Sequence, residues 1–318
     1  MRDDREAIVA EGLNSSRSKG GLNGRWLIFI AAVLWSTSGL FAKAPVLSEW
    51  ALNDRGMLLA FWRALFAGTV LLPFLLPLSR RPGPSWWNWR LIPAGLLFAV
   101  MNFTFLKAMT LTTAANAIWL QYTAPAWVIL IGVGLLGERA VLRDYIMVAC
   151  AMLGVAIIVG CEWSFGPDPA RSRAGILWSL AAGATLAGVM LSLRQLKELP
   201  VVWTTAVCHF SAAMMLAPFV LVQHGLPSLK LTGWMALFGA FQLSIPYLFF
   251  AKGLRTTTSH EASCIALLEP LLVPLWVYWC WRSDGQYRPP DWWTWLGGGV
   301  MLAGLLVRYW PAARFRRL

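Results

Sequence analysis

The run from Thr113 to Leu136, TAANAIWLQYTAPAWVILIGVGLL, carries no charged side chain and holds Pro125 at its middle. Wound as a helix at about 1.5 Å per residue, it reaches about 36 Å, enough to cross a hydrocarbon core of about 30 Å. Proline has no N–H, so the carbonyl four residues before it loses its helical partner, and lipid offers none in exchange. The stretch therefore predicts a membrane helix broken near its centre, with the open turn facing protein or a water-filled cavity.

The same pattern returns in the second half of the chain. At a constant offset of 145, Trp89 aligns with Trp234, Phe105 with Phe250, Lys107 with Lys252, Thr112 with Thr257, Ala117 with Ala262 and Pro125 with Pro270. Apolar composition inflates chance matches, but paired lysines, threonines and prolines in one ungapped register point to an internal duplication. A further match, of Ala149 with Gly299 and Gly154 with Gly304, follows at an offset of 150.

Hydrophobic residues make up 58% of the chain and charged residues 13%, about half the charge a soluble domain carries. An integral membrane protein follows, all-α, with ten candidate spans: Trp26–Ala44, Met57–Leu78, Leu91–Met109, Thr113–Leu136, Tyr145–Cys161, Ala174–Leu193, Val201–Val222, Leu231–Ala251, Thr258–Trp281 and Trp292–Trp310. The connections are too short for a soluble domain. The net charge of +12 lies at span ends and tails and forms no basic helix, so lipid head groups, and not nucleic acid, are the expected partner. Lys and Arg favour the side holding both termini by about two to one, which orients that side to the cytoplasm. Four of the five cysteines fall inside apolar runs and suggest no disulfide framework.

Span counting and duplication interlock. Spans three and four match eight and nine, so each half has five spans, and an odd number inverts the second half relative to the first. Two inverted five-helix repeats are expected, with residues 1–24 a disordered tail, 25–161 the first repeat, 162–310 the second and 311–318 a basic tail. Inverted repeats around a midplane site are a recurrent build of secondary transporters. The small residues Gly299 and Ala303 suit close helix contact, inside the bundle or at a dimer interface, and oligomeric state stays open.

The run Gln121 to Val159, with its mid-helix proline, its Gly137-Glu138-Arg139 end and a Gly-containing fifth span, resembles the end of the first repeat in EamA-type members of the drug/metabolite transporter superfamily. Leu268-Glu269-Pro270 and the run from Gly297, GGGVMLAGLLV, are similar to that family's second repeat. The resemblance implies ten helices, cytoplasmic termini, a central cavity and the export or exchange of small metabolites, often amino acids; apart from the resemblance, a bacterial inner membrane is the expected location. Where the family's second repeat usually carries another Gly-Glu-Arg, this chain has Trp281-Arg282-Ser283-Asp284-Gly285, so symmetric gating does not carry over.

Glu269 is the most informative single residue. A carboxylate near the middle of a span costs at least about 2.5–3.5 kcal/mol, so it should face a cavity, pair with a cation or hold a proton. It would serve a substrate ammonium or a coupling proton, or else bond backbone freed by Pro270. Glu261 lies eight residues earlier, either on the same pathway or solvated at the interface. Arg63 would bind a substrate carboxylate or reach the head groups with its long stem. His209 suits a helix–helix hydrogen bond or a proton carrier. Trp35, Asn102, Asn116, Trp119, Tyr122, Gln242 and Tyr247 are the in-helix polar and amphipathic aromatic residues that would line a cavity, and Pro125 and Pro270 would gate it. All seven aspartates lie in tails or loops, so no metal site is expected within the bundle, and no cofactor or hydrolase motif is present in the sequence. The competing reading is a multi-pass sensor or scaffold that transports nothing.

Overall fold

A computed structural model describes residues 23–79, 86–166 and 168–310. The expected N-terminal tail before residue 23, the cationic Arg80 and Arg81, and the basic tail 311–318 lie outside the described residues.

The bundle is all helical. The first span is α1 (Gly24–Ser36) followed by α2 (Ser38–Ala42), and it stops at Ala42, leaving Lys43 outside. The second is α3 (Leu52–Ser79) and the third α4 (Leu91–Leu111). The fourth is split into α5 (Ala114–Gln121) and α6 (Ala124–Leu136), and α7 (Leu142–Phe165) completes the first repeat. The second repeat contains α8 (Pro169–Arg194), α9 (Val201–Gln223), and a composite span of α10 (Leu229–Leu237), a π-helical turn Phe238–Ser244 and α11 (Ile245–Gly253). A split ninth span, α12 (Ser259–Ala266) and α13 (Leu268–Trp281), precedes α14 (Trp292–Tyr309). Nine spans among the described residues are long and apolar enough to cross a membrane. The tenth element, α14, packs along α7.

Both breaks sit where the prolines require them. Pro125 and Pro270 each occupy the first turn of the second half-helix, where a missing N–H costs least. The carbonyls they orphan are those of Gln121 and Ala266. Gly183 of α8 lies against the first break, where a Cβ would stand 2.4 Å from Thr123 Oγ1 and 3.2 Å from the Gln121 carbonyl oxygen. The Ala266 carbonyl accepts from the Tyr122 hydroxyl at 2.9 Å. Thr113 and Thr258, equivalent in the two repeats, each cap the following half-helix with the side chain.

The face on which α1 begins and α14 ends is called here the near face, and the opposite one the far face. Lys107 donates to the Asn53 carbonyl at the far end of α3, whereas Lys252 ends α11 on the near side, beside the start of α1. The two repeats are thus inverted. Between α7 and α14 the contact is glycine-made: a Cβ on Gly154 would come within 2.5 Å of the Gly297 carbonyl oxygen, and one on Gly297 within 2.7 Å of the Gly154 carbonyl oxygen. Gly304 takes part as well, while Gly299 meets nothing within 4 Å.

Two aspartates expected in loops lie inside helices: Asp54 in the first turn of α3, and Asp144 in the first turn of α7, where it accepts from the Val141 N–H. Asp168 and Asp291 stay outside, at the N-cap positions of α8 and α14, so all four place negative charge at a helix N-terminus. Asp144 is also buried and pairs with Arg308 across to α14. Span boundaries read from hydropathy stop at the first charge, whereas a helix continues through it when the charge suits the dipole.

Candidate functional site

A cavity of about 250 Å³ lies at mid-bundle, lined by residues of spans 1 to 4, 6, 8 and 9. Its apolar wall includes Phe98, Met101 and Phe105 of α4, the last in the far half of that helix, and Leu186 and Met190 from the near half of α8. The far half is shut by rings: Phe41 stacks on Phe238 at 5.0 Å and meets Trp234 at 4.8 Å, and Trp281 stands 6.2 Å beyond. Trp234 and Trp281 donate their indole N–H to the carbonyls of Phe41 and Leu40, at 3.2 and 2.8 Å.

Two charged side chains reach this cavity. Arg63 is 3% exposed and points inward, away from the head groups. It donates to the Asn102 amide oxygen and, at 3.1 Å, to Gln242 Oε1, and its guanidinium lies 5.0 Å above the Phe238 ring. The amides are fixed in turn: Asn102 donates to the Ala60 carbonyl at 2.9 Å and Gln242 to the Trp35 carbonyl at 3.3 Å. Gln242 is delivered by the π-helical turn. Pro246 has no N–H for the Gln242 carbonyl, which permits the wider turn. Gly239 lets the turn approach α3 so closely that a Cβ would stand 2.7 Å from the Arg63 carbonyl oxygen.

Glu269 enters from the opposite side, on the first turn of α13. Its Oε2 lies 2.9 Å from the Tyr122 hydroxyl, which also stands 2.9 Å from the Ala266 carbonyl oxygen. Arg63 has no carboxylate within ion-pair distance among the described residues, so cation and carboxylate share the cavity without neutralising each other directly. Trp35 and Tyr247 complete the wall, edge to face at 5.2 Å. Behind Phe98 and Tyr247 sits His209, fully buried, with both ring nitrogens unpartnered among the described residues.

Of the residues singled out from the sequence, Trp35, Tyr122, Pro125, Gln242, Tyr247 and Glu269 line the cavity, and Asn102 stands behind it holding Arg63. Pro270 is buried one residue beyond Glu269. Asn116, Trp119 and Glu261 are not brought there. Trp119 is 1% exposed and lies flat against Gly298 of α14. Asn116 donates to Glu162 Oε2 at 3.3 Å and accepts from Thr294 at 2.6 Å. Glu261 closes a capping box with Thr258 and pairs with Arg25 at 2.5 Å on the near face. On a helix the face is set by neighbours, and residue type alone could not decide between cavity and interhelix contact.

Two groups escaped sequence reading. Gln121 lines the cavity beside Tyr122, a polar side chain next to the break. Glu162 was placed just beyond the fifth span, yet α7 continues to Phe165 and buries it at 3% exposure. Its carboxylate accepts from Ser172, from Trp293 Nε1 at 3.0 Å and from Asn116, joining α7, α8, α14 and α5 near the far face.

The EamA-like transporter family model matches the chain twice, over residues 22–160 and 173–310. An uncharacterized transporter of Bacillus subtilis, YwfM, is 30% identical over 298 residues, covering 88% of this chain and 91% of its own. An uncharacterized transporter of Archaeoglobus fulgidus is 24% identical, over 90% and 96% of the two chains. A solved crystal structure superposes with a TM-score of 0.57 at 19% identity, covering 89% of this chain and 95% of that one. With both repeats matched and ten helices in two inverted sets of five, the chain belongs to the EamA-like transporter family, within the drug/metabolite transporter superfamily.

Proposed function

We propose that the protein is a secondary active transporter, exporting or exchanging small zwitterionic metabolites such as amino acids by alternating access around the mid-bundle cavity. The observation that carries this reading is the pairing of Arg63 and Glu269 in one cavity with no direct bond between them. Both hydrogen-bond partners of Arg63 are neutral amides and supply no counter-ion, and a substrate carboxylate is the natural one. Glu269 would take the ammonium, with Trp35, Phe98, Phe105 and Tyr247 forming an aromatic wall for the rest of the molecule.

The Tyr122 hydroxyl carries one proton and stands equally near two acceptors, so it serves one of them at a time. A proton on Glu269 satisfies both contacts, which makes this carboxylate the candidate site for a coupling proton. The near face is the cytoplasmic one in this reading, given its excess of Lys and Arg, and the aromatic rings of Phe41, Trp234, Phe238 and Trp281 stand on the far side of the cavity. The split spans at Pro125 and Pro270 act as the gating elements. Arginine and a carboxylate sharing a substrate site would be wasted on a scaffold, which has no use for two charges at mid-membrane.

The test is counterflow in proteoliposomes loaded with amino acids and related metabolites, for wild type and Glu269→Gln at two pH values. Labelled compound should accumulate with wild type, and with Glu269→Gln accumulation should be lost or become insensitive to pH. Uptake by Glu269→Gln that matches wild type at both pH values would remove the carboxylate from the mechanism.

A further inference from the structure

On the far face, three cationic side chains from separate elements lie close together, two of them bonded to the end of α4. Lys43, just past the end of the first span, donates Nζ to the Thr112 carbonyl at 2.6 Å. Arg171, in the first turn of α8, donates Nη2 to the Thr110 carbonyl at 3.0 Å. Arg55, in the first turn of α3, donates Nη2 to the Trp50 carbonyl at 3.1 Å. The helix ends themselves meet closely. A Cβ on Gly175 would stand 2.8 Å from the Thr112 backbone nitrogen, and one on Gly56 2.7 Å from the Lys107 Cα.

The C-terminal carbonyls of α4 account for one donor each of Lys43 and Arg171, as cations at the negative end of a helix dipole. They leave the rest unexplained. The Nε atoms of Arg55 and Arg171 are buried without a partner among the described residues. Of the carboxylates of this region, Asp168 accepts from the Arg171 backbone N–H, Asp54 lies 4.0 Å from His224 and Glu162 accepts from three donors, and among the described residues none stands within ion-pair distance of Lys43, Arg55 or Arg171. Burial first, then the charges of Arg171, Arg55 and Arg288, press the Lys43 ammonium down to about 7. Lys43 thus stands among cations, while Asp168 offsets part of the charge of Arg171 alone.

We propose that Lys43, Arg55 and Arg171 form a binding site for an anionic group, a phosphate or a carboxylate, at the far face of the bundle. Guanidinium forks from two elements and an ammonium from a third suit a ligand with several acceptor oxygens on one centre, which would take the N–H groups the protein leaves unmet. None of the three residues lines the mid-bundle cavity, and the site stands whether or not that cavity carries zwitterions. The same chemistry fits a free anion or the phosphate of a lipid head group.

The experiment uses the full chain, purified and stripped of lipid in an uncharged detergent. Tryptophan fluorescence follows thermal unfolding in inorganic phosphate and in sodium chloride at equal ionic strength, for wild type, Lys43→Gln and Arg171→Gln. In parallel, native mass spectrometry counts phosphatidylglycerol retained after extraction from mixed phosphatidylglycerol and phosphatidylcholine vesicles. A saturable rise of the wild-type unfolding midpoint with phosphate, at least halved in each variant, identifies a free-anion site. Retention of phosphatidylglycerol by wild type and its loss in the variants identifies a lipid phosphate. Phosphate acting no differently from chloride, together with equal lipid retention in all three proteins, overturns the proposal, as does a phosphate effect undiminished in the variants. Should Lys43→Gln or Arg171→Gln fail to fold, Arg55→Gln carries the comparison, since its bond goes to a loop carbonyl and caps no helix.

Discussion

Replacing Tyr122 by Phe deletes a single oxygen and keeps the ring. That oxygen bridges the two broken spans, standing 2.9 Å from the carbonyl that Pro270 orphans and 2.9 Å from Glu269 Oε2. A net hydrogen bond contributes about 0.5–1.5 kcal/mol, and about 1.5–3 kcal/mol when one partner is charged. Between membrane helices the measured average is nearer 0.6 kcal/mol, with a maximum of about 1.7. Tyr122→Phe should therefore lower stability by about 1–2 kcal/mol, because the Ala266 carbonyl has no helical donor to fall back on. Glu269→Gln keeps an acceptor oxygen but gives up the charge, so the two changes touch one interaction. Their double-mutant cycle should show a coupling of about 1 kcal/mol, roughly five-fold in an equilibrium constant. The assay is reversible unfolding in mixed micelles of the wild type, both single variants and the double variant. Strict additivity, to within about 0.5 kcal/mol, would refute the bridge and with it the claim that Glu269 acts through the fourth span.

Arg63→Gln should abolish counterflow while leaving the folded yield near wild type, because a neutral amide can still meet Asn102 and Gln242; a large loss of folded protein instead would mark Arg63 as structural. Gly154→Leu or Gly297→Leu should cut the folded yield severely by forcing α7 from α14, whereas Gly299→Leu should be silent, as size-exclusion profiles would report. Glu162→Gln replaces one acceptor oxygen by a donor facing Ser172 or Trp293, and should cost about 1–3 kcal/mol in unfolding experiments.

The helices, their number and their inversion were legible because each rests on a one-dimensional signal: long uncharged runs, prolines at constant offset, and an odd count per repeat. Glu269 and Tyr122 were legible for a related reason, since polar groups beside a proline break have few acceptable places in lipid. The direction of Arg63 was not, because a long stem near a span end can reach water or a cavity, and only the amides of Asn102 and Gln242 decide between them. Glu162 was hidden by its position one residue past an apparent end, and the three donors that permit its burial come from other helices.

The two proline breaks are alike in backbone and unlike in chemistry, and the difference is already written in the aligned sequence. At the offset of 145, Glu269 corresponds to Ala124 and Tyr122 to Leu267, so each repeat supplies one half of a pair that neither holds alone. The first break is closed by Gly183 and by Thr123, whose hydroxyl donates to the Leu120 carbonyl at 2.7 Å. The second is closed by a hydroxyl borrowed from the first repeat. In the proposed cycle, a proton arriving at Glu269 would change the second break directly and reach the first through Tyr122. The ninth span would sense charge and the fourth would follow it. Tyr122→Phe should then leave substrate affinity at Glu269 within a few-fold of wild type while slowing the exchange between the cavity's two openings, a split that equilibrium binding and counterflow rate would separate.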